Sequence, residues 1–216
     1  MGEFRIILNI GIVYMKKIGI FVIGLLAANT VFAQSSPLSY DYVEANLGTG
    51  DFYDEDFSFY GAGISYSLNE SIYLRGSYSD GATDDDVYFG IGLGESKVEI
   101  SGYEIGLGFH TPVSQLIDFV VSGSYISSEL EIFGFSQDED GYSVDAGFRF
   151  KPIEQVELDI FADFVDVNGE NDTGYSASAY YFFTPTFSLG GVYTGTDASN
   201  RSDDLSTIAA SVRFHF

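Results

Sequence analysis

From Tyr40 to the C-terminus, apolar and polar residues alternate with a period of two, broken at intervals by short polar segments. That period is the mark of strands with one apolar face. Helical spacing is sustained nowhere after Ala33. Four brief segments recur between the alternating runs, at 67–71, 111–115, 151–155 and 184–186, and the last three carry proline, which suits a tight turn. Longer acidic stretches with glycine or asparagine alternate with them, at 50–56, 80–101, 135–141, 168–173 and 194–204. The predicted strands are 40–49, 57–68, 71–80, 101–110, 116–127, 142–150, 156–167, 174–183, 187–194 and 205–216. Residues 87–94 also alternate, and they read as a hairpin arm within the second long loop, because an eleventh strand would break the even count.

The faces of these strands separate a soluble barrel from a membrane one. Tyr142, Val144, Ala146, Phe148 and Phe150 oppose Ser143, Asp145, Gly147 and Arg149. Ile208, Ala210, Val212, Phe214 and Phe216 oppose Thr207, Ala209, Ser211, Arg213 and His215. At the long-loop end the apolar face carries Tyr78, Tyr103, Tyr125, Tyr142, Phe164, Tyr175 and Tyr193. At the short-turn end it carries Tyr66, Phe109, Phe150, Phe183, Phe187 and Phe216, with small or aliphatic residues between. Two aromatic girdles around an aliphatic belt are what two membrane–water interfaces select. The predicted fold is all-β: a transmembrane antiparallel up-and-down barrel of about ten strands. Short periplasmic turns and long acidic extracellular loops join them.

Composition sharpens this picture. Nine Lys+Arg stand against 32 Asp+Glu in 216 residues, beside 16 Tyr, 20 Phe and 25 Gly. A net charge of −23 argues against a nucleic-acid partner, whose phosphates need basic side chains. There is no cysteine, hence no disulfide and no thiol chemistry. Met15-Lys16-Lys17, an apolar run from Ile18, and Val31 and Ala33 before Gln34 read as a signal peptide cleaved after Ala33. Residues 1–14 read as an over-called start or a longer n-region, and 34–216 as the barrel domain. Loss of residues 1–33 leaves six basic and 31 acidic residues, a net charge of −25.

The opening Tyr40-Asp41-Tyr42-Val43-Glu44, the glycine-rich hairpins and the ending Ser211-Val212-Arg213-Phe214-His215-Phe216 carry a resemblance. The chain resembles the small outer-membrane β-barrel proteins of Gram-negative bacteria. That resemblance implies location in the bacterial outer membrane, loops outside the cell, and Phe214 and Phe216 as the signal to the barrel-assembly machinery. It implies partners in outer-membrane lipid and lipopolysaccharide, with a monomer expected. The chain departs from the best-known small members in having ten predicted strands rather than eight.

Inward-facing charges are Glu44, Arg75, Glu104, Asp118, Asp145, Arg149, Glu157, Asp159, Asp163 and Arg213. Strand adjacency predicts the pairs Arg75–Glu104, Arg149–Glu157 and Arg213–Glu44, a network that neutralises lumen charge. Were a pore open beside it, the acidic excess would favour cations. His110 and His215, with Ser114, Ser211 and Asp118 near them, are the residues a hydrolase would use, but no nucleophile motif surrounds them. The acidic loops lack the spacing of an EF-hand, so no metal and no cofactor is expected. The reading reached is a non-enzymatic envelope protein that supports membrane integrity or surface interaction through its loops. A small, weakly cation-selective porin-like channel is the alternative, and an outer-membrane hydrolase a third.

Overall fold

The computed structural model describes residues 36–52, 55–89, 94–167, 170–197 and 206–216. The expected signal peptide, residues 1–33, lies outside them. The described residues form β1 (Tyr42–Phe52), β2 (Glu55–Ser67), β3 (Ile72–Thr83), β4 (Val87–Tyr88), β5 (Glu95–Ser96), β6 (Val98–Pro112), β7 (Ile117–Ile132), β8 (Phe135–Ile153), β9 (Val156–Val167), β10 (Glu170–Thr184), β11 (Phe187–Asp197) and β12 (Ser206–His215). Ten of these close into a barrel in the order β1-β12-β11-β10-β9-β8-β7-β6-β3-β2. Every pairing is antiparallel, and β1 on β12 seals the seam with Glu44 opposite Arg213. The short strands β4 and β5 pair only with each other, Val87 opposite Ser96 and Tyr88 opposite Glu95. They form the arm expected within the second long loop, and the barrel keeps its even count.

Closure has a physical cause in the exterior. Leu47, Ile64, Leu107, Ile160 and Ile208 are each at least half exposed on the outer wall. A surface of this kind is stable only in lipid, and lipid offers no partner to an open sheet edge. The short turns are locally determined. In the β2–β3 turn the Asn69 side-chain oxygen accepts from the backbone N–H of Ser71 and of Ile72, each at 2.9 Å.

Most strands run further into the expected long loops than the alternation implied, β10 from Glu170 and β11 to Asp197 among them, and two boundary shifts have a visible cause. The stretch 135–141, expected as a loop, is strand: the β7–β8 ladder continues to Ile132 opposite Phe135 and turns through Phe133 and Gly134, both at positive φ. Beyond the bilayer both faces of a hairpin meet water, so hydrophobic alternation fades while backbone pairing persists. A membrane strand needs about 9–11 residues; β8 has 19. At the other boundary, the first strand begins at Tyr42 rather than Tyr40, because Tyr40 turns into the lumen, where it is almost wholly buried.

Candidate functional site

The lumen has two parts. Its periplasmic end is filled, and the filling begins with the segment that precedes β1. The Tyr40 ring stacks on His110 with centroids 3.8 Å apart and planes 16° from parallel. The Arg149 guanidinium lies 4.4 Å from the centre of the same ring. Tyr40 Oη donates to Asp118 Oδ2 at 3.0 Å, Ser36 Oγ donates to the same oxygen at 2.6 Å, and His110 Nδ1 lies 3.2 Å from it. The segment is held further by Ser65 Oγ donating to the Tyr40 carbonyl at 2.6 Å and Arg149 Nη2 to the Ser39 carbonyl at 3.2 Å. Leu38, Tyr40, Tyr73 and Val120 form an apolar cluster, with Phe161 packed against it.

Beside this cluster lies a charge network, and all three predicted pairs are formed. Arg75 Nη2 reaches Glu104 Oε1 at 3.1 Å, Arg149 Nη2 reaches Glu157 Oε1 at 2.5 Å, and Arg213 Nη2 reaches Glu44 Oε2 at 2.8 Å. Adjacency understated the connections. Arg75 also pairs with Asp145, three strands away, and donates to Ser122 Oγ at 2.8 Å. Arg149 also pairs with Asp159 at 3.5 Å, and Arg213 with Glu157 at 3.1 Å. Glu157, fully buried, thus sits between two arginines. Arg213 lies over the Tyr180 and Tyr42 rings, at 3.8 and 4.1 Å. Removing one member of such a network strands a buried charge. Asp163 lies directly opposite Asp145 on adjacent strands, and among the described residues no arginine comes within ion-pair distance of it.

Above this floor lies a cavity of about 600 Å³. It rises from Tyr42, Arg149 and Arg213 to Phe57, Asp80 and Thr207 near the long-hairpin end. Its walls include rings that the sequence reading passed over: Phe57 and Phe59 on β2 and Tyr180 on β10. These fit because glycine stands beneath them. A Cβ at Gly48 would meet the Phe59 ring at 2.5 Å, and one at Gly81 would meet the Phe57 ring at 2.5 Å. The alternation of large and small residues was the available signal, with Phe57 and Phe59 on the same face as Gly61 and Gly63.

The histidines lie buried in the floor, as their inward parity implied. His110 does meet Asp118, but Ser36 donates to that carboxylate rather than to the imidazole. Ser114 stands in the exposed β6–β7 turn, where its Oγ accepts from Leu116 N–H at 3.2 Å.

On the outer wall Tyr78, Tyr103, Tyr125, Tyr142, Tyr175 and Tyr193 are exposed, with Phe164 6.2 Å from Tyr142. Tyr103 and Tyr125 lie 6.3 Å apart, and Tyr175 and Tyr193 6.0 Å. At the opposite end Tyr66, Phe109 and Phe183 are exposed, Phe187 lies 6.1 Å from Phe183, and Phe150 shares the face of exposed Leu158. Tyr60 and Tyr181, not foreseen in either ring, are also exposed. Phe214 and Phe216 end the chain on the outer face. Above the upper ring, Tyr125 Oη donates to Asp140 Oδ1 at 2.6 Å, which holds the Asp140 carboxyl below its ordinary value.

No protein-family model and no curated protein matches the sequence. Solved structures do match the fold. A NanC porin aligns with a TM-score of 0.52 at 7% identity, over 81% of this chain and 100% of its own. The chain has the fold of the small outer-membrane β-barrels. Neisserial surface protein A aligns over 82% of this chain and 98% of its own, at 10% identity and a TM-score of 0.47. Ail of Yersinia pestis aligns over 80% and 95%, at 10% identity and a TM-score of 0.36. A closed antiparallel barrel with an apolar belt between two aromatic rings is at home in the bacterial outer membrane.

Proposed function

We propose that this barrel is a non-enzymatic outer-membrane protein whose lumen is a cup: open toward the cell exterior, closed toward the periplasm, and acting at the surface rather than as a through-channel. One observation carries the reading, namely the floor built by Tyr40, His110, Asp118, Arg149, Glu157 and Arg213, all nine-tenths or more buried. The extended β7–β8 hairpin adds a surface that stands clear of the membrane. In the hydrolase reading a serine would have to approach an imidazole, and the seryl hydroxyl at this centre binds the carboxylate instead. Outer-membrane lipid and lipopolysaccharide surround the belt. The C-terminal strand with Phe214 and Phe216 is the surface offered to the assembly machinery.

The channel reading is favoured by the cavity and its acidic walls. Single-channel recording separates the two. Mature barrel refolded into a planar bilayer is expected to show no conductance steps, whereas cation-selective steps from the unaltered protein would replace the cup with a pore.

A further inference from the structure

Three observations about the cup converge on one kind of ligand. First, its charge is unbalanced. Arg75, Arg149 and Arg213 are each engaged by two carboxylates, while Asp163 lines the cavity with no arginine within ion-pair distance among the described residues. An anion entering the cup would meet a carboxylate without a counter-ion and guanidinium groups already occupied.

Second, one acceptor on the lining residues has no hydrogen-bond donor, Asn46 Oδ1. Such a group is costly when left unmet. What it lacks is an N–H or O–H.

Third, the wall opposite the carboxylates is aromatic. Phe57 and Phe59 stand 6.2 Å apart with planes 23° from parallel, lying against Gly81 and Gly48 so that their faces turn inward. β2, which carries them, is five positions around the ten-strand barrel from β9, which carries Asp163 and Asp159. Lumen rings in this barrel already accept cations, since Arg213 lies over Tyr180 and Tyr42.

We propose that the cup is a binding site for a small organic cation that carries N–H donors on a flat or apolar body, such as an amidinium or an arylalkyl ammonium. The charged end meets Asp163 and Asp145, its N–H groups supply the donor missing at Asn46, and its body lies against Phe57 and Phe59. A metal ion suits the cup poorly: among the described residues no three His, Asp or Glu side chains converge as an ion requires. The proposal rests on the outward-facing cup described above.

The test is calorimetric titration of the refolded mature barrel, its folding verified by heat-modifiable gel mobility, with three probes of similar size. Benzamidine is expected to bind saturably, benzyltrimethylammonium more weakly for want of N–H groups, and benzoate not at all. Asp163→Asn is expected to weaken benzamidine by about tenfold, the scale of one lost charge-assisted contact. Phe59→Leu is expected to weaken it by several-fold through the lost ring face. Both sit on the cavity wall away from the floor, and should Phe59→Leu fail to fold, Asp163→Asn decides. Benzoate binding as tightly as benzamidine, no benzamidine binding, or an Asp163→Asn barrel of unchanged affinity would each overturn the proposal. A barrel that conducts but binds benzamidine keeps the site and loses the closed floor. A silent barrel that binds none of the probes keeps the floor and loses the site.

Discussion

The floor and the cup are made by the same ten strands with the same alternation, yet they differ in every physical respect. In the floor, large side chains meet from all sides, carboxylates and guanidinium groups are paired, and Asp118 and Glu157 have no exposed surface. In the cup, Ser77 and Ser79 face inward but remain exposed, and acids outnumber the bases that could neutralise them. The difference teaches that a barrel lumen is not filled by strand count alone. Ten strands leave room, and what occupies it here is a piece of chain, Ser36 to Tyr40, folded back under the barrel. Where that segment reaches, burial forces pairing; beyond its reach, water tolerates imbalance.

The contrast can be broken from the floor first. Glu157→Leu removes the carboxylate shared by Arg149 and Arg213 and leaves each with a single partner, Asp159 and Glu44, so the refolded barrel should lose about 3 kcal/mol of stability in urea titration. A loss below about 1 kcal/mol would mean the floor is wetter than its burial implies. Tyr40→Ala comes next. It empties the stack on His110 and releases Asp118 from one donor, at a cost of about 3 kcal/mol. It should also make an otherwise silent barrel conduct in planar bilayers, and continued silence would show that the strands alone seal the lumen.

In the cup, Ser79→Ala should change stability by no more than about 0.5 kcal/mol, because its hydroxyl already faces water. An effect as large as that of Tyr40→Ala would erase the distinction between the two regions. The smallest expected effect is above the bilayer. Tyr125→Phe removes the donor that depresses the Asp140 carboxyl, so that carboxyl should titrate closer to its ordinary value by NMR. A depressed folded-state value stabilises above the unfolded carboxylate range and stops doing so as pH falls through the folded value. Any stability gap between Tyr125→Phe and the parent should therefore be present at neutral pH and close in acid.

Much of this was legible from residue order. Parity along each run assigned Tyr142 and Phe148 outward and Arg149 inward, because a strand admits only two faces. The three arginine pairs followed from which strands are neighbours. The second partners did not all follow: Asp145 lies three strands from Arg75, and only the curl of the sheet brings them together. The site residues that parity placed inward were gathered correctly, but parity could not rank them. It gave Asp159 and Asp163 the same standing, and the structure ties one to Arg149 while leaving the other facing the cavity. Nor did inward parity say what fits. Gly147 faces the lumen, yet a Cβ there would lie 2.0 Å from the Ile160 carbonyl oxygen, so the position takes nothing larger.

By itself, the order of residues determined a closed membrane barrel with a belt, two girdles and an acidic interior, because period, turn and girdle are local properties of the chain. The tertiary structure alone decided how the periplasmic end of the interior is filled. That depends on where Tyr40 goes, and its path is chosen by groups on four distant strands: Tyr73 on β3, His110 on β6, Asp118 on β7 and Arg149 on β8. No period of two encodes such a meeting: Asp118 and Arg149 stand opposite each other on adjacent strands, but Tyr40 reaches them only once the sheet has curled.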